Sequence, residues 1–599
     1  MTKTTPKKIL KEVFGYDQFR PLQEEIINSL TENKSSFVLM PTGGGKSLCY
    51  QIPAICMDGV GIVISPLIAL MQDQVNALKQ LGVKAEAINS SISYEKKEEI
   101  TNSLKNNELD LLYIAPERFS DERFLEFLKN IKISLFAIDE AHCISQWGHD
   151  FRPVYAELKM LSETFSDIPR IALTATADVP TRKDIVEKLD LAKAKHYRSS
   201  FDRPNITYVV SSKPAPKKEL LEFINNNYKG SSGIVYCLSR KSVEETCRWL
   251  KTEGLKVFAY HAGMSNSDRK KNLDNFLLDD GVVMVGTVAF GMGIDKSDVR
   301  FVAHLNVPKN IESYYQETGR AGRDGLPSTA WMSYGIGDIA IQRSFIESSN
   351  APDKQKRIEQ QKLSSLLGFC EATKCRRQIL LNYFGDECGN CGNCDNCFEK
   401  PEVFDATIPA QKAISCVYRT DQLFGVNYLI DVLCGSSDDR IKGFNHDKLS
   451  VFGVGKDISK VEWRAIFRQL VAANLLFVDM VNHGGLKITK DGMEFLRFKK
   501  EIEMRKYTGK IKGEKTKKIK TNVSLDGDAE QELFDQLKAK RLEIAKEAKL
   551  PPYVIFHDKT LVELIKIKPK NEEEMLNISG VGKGKFEKYG EIFLKIIES

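Results

Sequence analysis

No stretch of this 599-residue chain has the ~18 consecutive apolar residues that a membrane-spanning helix needs, so no membrane partner is expected. The opening residues, Met1-Thr2-Lys3-Thr4-Thr5-Pro6-Lys7-Lys8, lack the apolar core of a secretion signal, so a cytoplasmic setting is expected. A strong overall charge is missing as well. The formal charge is +6, but residues 499–520 carry ten Lys/Arg against three Glu, a local +7 that leaves the other 577 residues at −1. Global electrostatics therefore do not announce a polyanion binder, and any such path must be a local stripe. What remains is 42% hydrophobic and 28% charged, the balance of a globular protein. Its length suits about four domains. Of thirteen cysteines, five lie between Cys375 and Cys397; the others are scattered, several inside apolar segments (Cys49, Cys237, Cys434), as reduced thiols would be.

Chemistry enters at Met40-Pro41-Thr42-Gly43-Gly44-Gly45-Lys46-Ser47, after the apolar run Phe37-Val38-Leu39. Glycines without Cβ let backbone N–H groups wrap phosphate oxygens, Lys46 supplies a point charge, and the Ser47 hydroxyl suits Mg²⁺. The strict phosphate-loop pattern places glycine where Met40 stands; the shorter Pro-x-Thr-Gly-x-Gly-Lys-Ser form seen here is that of helicase-type ATPases. A plain glycine-rich turn is the bland alternative. The run Ile133–Ile138 is too short for a helix and reads as a buried strand presenting Asp139-Glu140-Ala141-His142 at its carboxyl end. Asp139 is expected to hold the metal through water, and Glu140 to activate the attacking water.

Apolar runs alternate with helical stretches from Phe37 to Ala177, and the pattern restarts from Ser232 to Tyr334 without a second phosphate loop. That implies two parallel-sheet domains. In the second, Gln316-Glu317-Thr318-Gly319-Arg320-Ala321-Gly322-Arg323 follows Tyr314-Tyr315, and the spacing places Arg320 and Arg323 on one side of a helix. An arginine presented across a cleft to a γ-phosphate is worth about 10³–10⁵ in rate. Surface arginines in weak salt bridges are the alternative.

With these segments in place the chain resembles the RecQ family of superfamily 2 DNA helicases over nearly its whole length. The resemblance implies that Phe14–Gln23 reads adenine, with Gln23 bonding the base and Tyr16 and Arg20 stacking on it. It adds Thr42, Gly43, Gly44, Gly45, Lys46, Ser47 and Gln316 to the ATP site. It assigns Leu173-Thr174-Ala175-Thr176-Ala177 to coupling of the γ-phosphate with the nucleic-acid track, and Ala141–Pro153 to an aromatic-rich loop linking DNA to hydrolysis. Trp147, His149, Phe151 and Arg152 are its DNA-contacting candidates, since aromatic faces stack on unpaired bases. Burial of Trp147 and Phe151 as loop anchors is the rival reading.

Cys391-x-x-Cys394-x-x-Cys397 has the spacing of a zinc knuckle, and Cys375 would complete a four-thiolate structural Zn²⁺ site. Cys388-x-x-Cys391 is an equally good pair, so Cys388 stays a competitor; family spacing favours Cys375. Trp463–Leu475, Leu476–Val481, a tip Asn482-His483-Gly484-Gly485 and Leu486–Thr489 read as the helix and hairpin of a winged helix, a duplex-binding module. Some family members split the fork with a longer, aromatic-tipped hairpin; the short tip here carries His483, its DNA-contacting candidate.

Residues 526–599 resemble the helicase-and-ribonuclease C-terminal (HRDC) domain, with 13 Lys/Arg against 15 Asp/Glu. Tyr553 is its single-strand contact candidate, and a protein-docking role is the alternative. The flexible, basic stretch before it, about 20 residues, reaches roughly 25 Å r.m.s., so this domain is expected to move independently.

The fold expected is α/β: two RecA-like domains (1–205 and 206–342), a helical zinc-binding subdomain (343–400), a winged helix (401–505), a basic linker (506–525) and an all-α HRDC domain (526–599). The resemblance implies an ATP-, Mg²⁺- and Zn²⁺-dependent helicase, 3′→5′ on single-stranded and branched DNA, acting in recombination and repair. It further implies a bacterial, nucleoid-associated monomer with single-strand-binding protein as a candidate partner. An RNA remodeller and a non-enzymatic recombination scaffold are the rival classes.

Overall fold

Short apolar runs make the sheets because helices cover both faces. Leu111–Ile114, Val60–Ile64 and Ile133–Ile138 are buried at every position, the pattern of central parallel strands. In the structure, a computed structural model, the described residues are all except 1–4, 67, 90–91, 146–150, 178, 212–214, 292–295, 480–484, 499, 508–527, 549 and 599. The first lobe has a seven-stranded parallel sheet, ordered Ala85–Ile88, Leu111–Ile114, Val60–Ile64, Ile133–Ile138, Arg170–Thr174, Ser36–Leu39, Lys195–Arg198. The second has a six-stranded parallel sheet, ordered Val257–Tyr260, Val283–Gly286, Gly233–Tyr236, Phe301–His304, Ser328–Ser333, Ile206–Ser211. The two-domain α/β reading holds. Three strands of these two sheets escape the sequence patterns: Ala85–Ile88, Lys195–Arg198 and Ile206–Ser211. Lys195–Arg198 is an outer strand with three exposed positions, so it has no apolar run to announce it.

Beyond the lobes lie the helices Ile336–Ser348, Asp353–Glu371 and Arg376–Tyr383. The cysteine knuckle that follows sits on the outer strand Ile206–Ser211 of the second sheet. Asp395 Oδ2 accepts from Val210 N at 3.0 Å, Thr207 Oγ1 donates to Asn393 Oδ1 at 2.7 Å, and Tyr208 bridges to Cys394. The winged helix packs its helix Lys460–Ala472 onto this assembly: Arg468 pairs with Glu371 at 2.7 Å, and Arg343 donates to Val471 O at 3.1 Å. Its hairpin pairs Leu476–Asp479 with Gly485–Ile488 in antiparallel register.

Glu503–Arg505 pairs with Val403–Asp405 and Met504 is 3% exposed, so the chain just ahead of the basic linker is packed. One expectation about the C-terminal part is corrected: the HRDC domain does not stand apart from the two lobes. Gly580 N donates to Gly15 O of the first lobe at 3.0 Å, and Lys588 reaches Gln80 O at 3.3 Å. On the second lobe, Ser297 Oγ meets His557 Nδ1 at 2.8 Å and Arg541 lies 3.7 Å from Asp280. A net charge of −2 hid this, because docking depends on which few charges face each other.

Candidate functional site

The phosphate loop joins the strand Ser36–Leu39 to the helix Leu48–Cys56, so the helix N-terminus faces the site, where its N–H groups favour anions. Gly43 and Gly45 take φ of +78° and +84°, and a Cβ on Gly45 would lie 2.4 Å from Gln23 Nε2. Met40, where a stricter loop has glycine, is 1% exposed and fills the space beneath Gly44. Lys46 Nζ donates to the carbonyls of Met40 (3.1 Å) and Pro41 (3.3 Å). Burial lowers its pKa, and the charges of Glu140 and Asp139 work the other way. Ser47 begins the helix.

Asp139 stands at the end of Ile133–Ile138, as expected of a strand ending in the site. Burial, and then the neighbouring Glu140 carboxylate, push its pKa up. Glu140 is turned by a left-handed backbone at φ +48°. Burial opposes its charge, yet His142, Lys46 and Arg320 hold its pKa below the usual range. His142 makes a connection that spacing did not reveal. Its Nδ1 lies 3.3 Å from Glu140 Oε2 and 2.9 Å from Thr174 Oγ1, joining the carboxylate to the Leu173–Ala177 segment. The histidine two residues after the carboxylate pair is the signal the sequence carries for it.

Near the N-terminus, Gln23 is 1% exposed and its Nε2 donates to Gly45 O at 3.0 Å, while its Oε1 accepts from Arg20 N at 2.8 Å. Arg20 Nη1 donates to Gly43 O. Tyr16 is half-buried and packs against the cluster of Ile9, Leu10, Ile27 and Ile52. Gln23 and Arg20 are thus tied directly to the phosphate loop.

From the second lobe, Gln316 is the half-exposed position of the otherwise buried helix Ile311–Thr318. Arg320 and Arg323 do not share a helix face. The helix stops at Thr318, and both arginines lie in the turn that follows, with Gly322 at φ +57°. This turn meets the phosphate loop directly: Thr42 Oγ1 donates to Gly319 O at 3.3 Å, and a Cβ on Gly319 would fall 2.2 Å from that hydroxyl. Lys46 feels the charge of Arg323, and Glu140 that of Arg320.

Of the aromatic loop, Trp147 and His149 lie outside the described residues. Phe151 is 39% exposed, and Arg152 Nη1 donates to Pro66 O at 2.9 Å, tying the loop to the end of a first-lobe strand. His483 also lies outside the described residues. Tyr553 is half-buried and stacks on His557, which is engaged with Ser297 of the second lobe.

The Sγ atoms of Cys375, Cys391, Cys394 and Cys397 all lie within 4.8 Å of one another, and Cys388 is not in the group. Four sulfurs about 2.3 Å from a tetrahedral Zn²⁺ stand about 3.8 Å apart. The Cys391–Cys397 and Cys394–Cys375 separations of 3.9 and 4.0 Å fit that geometry. The cluster belongs to a closed, structural type of site.

The chain matches family profiles along most of its length: DEAD/DEAH box helicase at residues 20–185, helicase conserved C-terminal domain at 215–325, RecQ zinc-binding at 336–398, RQC domain at 400–521 and HRDC domain at 530–597. It is 44% identical to the ATP-dependent DNA helicase RecQ of Haemophilus influenzae, over 100% of this chain and 96% of that one. With the Bacillus subtilis protein of the same name it shares 39% identity over 99% of this chain and 98% of the relative. A phosphate loop meeting an arginine turn, a four-cysteine knuckle, a winged helix and full-length likeness to these proteins place the chain in the RecQ family of ATP-dependent DNA helicases.

Proposed function

We propose that this chain hydrolyses ATP at the junction of its two lobes and uses the cycle to move 3′→5′ along single-stranded DNA and unwind duplexes in recombination and repair. The observation that carries this is the meeting of the phosphate loop with the arginine turn, at Thr42 and Gly319. Lys46 and the loop amides bind the β- and γ-phosphates. Ser47 and Asp139 offer the hard oxygen donors that Mg²⁺ prefers, and the ion would neutralise phosphate charge there. Glu140, held ionised by His142, accepts a hydrogen bond from the attacking water and orients it. Arg320 and Arg323 offset charge on the γ-phosphate in the transition state. Tyr16, Arg20 and Gln23 select adenine, and Gln316 contributes to the ATP site from the second lobe.

Hydrolysis couples to DNA through Thr174 and the loop carrying Trp147, His149, Phe151 and Arg152, while the winged helix holds the duplex. Cys375, Cys391, Cys394 and Cys397 hold a structural Zn²⁺. The setting is the bacterial cytoplasm at the nucleoid, with the protein a monomer and single-strand-binding protein a candidate partner. The test is unwinding of 3′-tailed against 5′-tailed duplexes, DNA and RNA in parallel, with and without ATP. Unwinding of the 3′-tailed DNA alone, only with ATP, is expected; equal action on RNA or on 5′ tails would overturn the proposal.

A further inference from the structure

Arg203 lies in the crossover between the lobes, after the strand Lys195–Arg198 and before Ile206–Ser211. Pro204 keeps its backbone out of the helical region. The zinc module clamps the same segment: Arg377 Nη2 donates to Ile206 O at 2.6 Å, and Asn393 Nδ2 to Pro204 O at 3.1 Å. From this fixed base the guanidinium reaches both halves of the ATP site. Nη1 donates to Thr42 O at 2.6 Å and Gly319 O at 3.1 Å; Nη2 donates to the carbonyls of Ala321 and Gly322, each at 3.0 Å. Thr42 leads into the phosphate loop, and the other three residues surround Arg320 and precede Arg323.

Burial lowers the pKa of Arg203, and the positive charges of Arg323 and Arg20 act in the same direction. A cation solvated by four carbonyls and flanked by further cations is stabilised when a polyanion enters beside it. Asn205 supplies a natural contrast. Its Nδ2 donates to Gly322 O (2.8 Å) and Leu326 O (2.9 Å), so these two bonds hold the arginine turn and stay within the second lobe.

We infer that Arg203 is a positioning residue that couples the phosphate loop to the arginine turn, setting the register of Arg320 and Arg323 against bound nucleotide and carrying movement of the loop into the second lobe. The planar fork is essential to this role. An ammonium keeps the charge but cannot span carbonyls on both lobes in one plane. The inference rests on the ATP-site assignment proposed above.

The experiment uses the full-length protein and the variants Arg203→Lys, Asn205→Ala and Lys46→Ala. Steady-state kcat and KM for ATP are measured with single-stranded DNA. Affinity for a fluorescent single-stranded oligonucleotide is measured with ADP and with a non-hydrolysable ATP analogue. Arg203→Lys is expected to lower kcat by about a hundredfold, the scale of an ångström-sized misplacement of catalytic groups. KM should change far less, and the ratio of DNA affinities in the two nucleotide states should fall toward unity. Asn205→Ala should keep the wild-type ratio. A wild-type ratio in Arg203→Lys, or an equal loss in Asn205→Ala, overturns the inference. Normal hydrolysis by Lys46→Ala overturns the site assignment beneath it, a separate result. Thermal melts accompany each variant; should Arg203→Lys not fold, the same ratio is read on Arg203→Gln, with the same two outcomes.

Discussion

Replacing Asp558 with Asn removes a carboxylate shared by guanidinium groups of two domains. Its Oδ1 lies 2.8 Å from Arg541 Nη1 within the HRDC domain, and its Oδ2 lies 3.8 Å from Arg300 Nη2 of the second lobe. Arg541, Asp558 and Arg300 are 0%, 6% and 9% exposed, so water does not compensate the loss. Removing one partner of a buried pair costs about 3–5 kcal/mol. The lower end applies, because Arg541 keeps Phe556 O at 2.7 Å and Arg300 keeps Asp324. About 3 kcal/mol is roughly a hundredfold in the docked population. Hydrogen exchange on the full chain reads it at Gly580, whose amide donates to Gly15 O across the interface with the first lobe. Exchange there should accelerate by about that factor, while amides in the helix Asp558–Ile567 stay protected. Equal acceleration in that helix would mean that the domain itself had loosened. Unchanged exchange at Gly580 would refute the argument that this cluster holds the domain in place.

Lys46→Ala should abolish ATP hydrolysis and unwinding while leaving DNA affinity near wild type; an ATPase within about tenfold of wild type would count against it. His142→Ala leaves Glu140 without its imidazole partner and should lower DNA-stimulated hydrolysis by about 10–100-fold, the usual cost of losing a supporting contact; a stopped assay with and without DNA checks this. One zinc per chain should be measurable by atomic absorption, lost in Cys375→Ser as in Cys391→Ser and kept in Cys388→Ser; the reverse order for Cys375 and Cys388 refutes the ligand set. Burial opposes the charge of Asp558, but Arg541 holds its pKa below the ordinary range. A depressed pKa gives stabilisation that is complete above the unfolded value of about 3.9 and is lost as pH falls below it. Docking read at Gly580 should therefore be flat from pH 8 to 5, and a loss within that range would refute this account.

What the sequence reveals follows from what is local. Ile133–Ile138 is legible because five of its six residues are apolar, and the phosphate loop because its glycines and Lys46 are contiguous. Lys195–Arg198 is not, since its pairing comes from Ser36–Leu39 and three of its four residues are exposed. The arginine turn was read as helix because three-residue spacing fits one, whereas Gly319 and Gly322 end it. Arg203 had no signal at all: its acceptors are backbone carbonyls up to 161 residues away, and any residue type presents a carbonyl. The HRDC contact with Asp280 and Arg300 was equally hidden, because single charges on two surfaces say nothing of their pairing.

The cysteine knuckle has a consequence for solubility. Ile206–Ser211 is the outermost strand of the second sheet, and its free side is occupied by Asp395, Asn393 and Cys394. Without metal the knuckle loses the cross-links that hold it there. The outer side of this six-residue strand, with Ile206, Thr207 and Tyr208 otherwise buried, then opens to solvent. Such an edge pairs with the same edge of another molecule. A chelator should therefore make this protein self-associate in a concentration-dependent way before the rest of the second lobe melts, so the metal guards against aggregation as much as it shapes the fold.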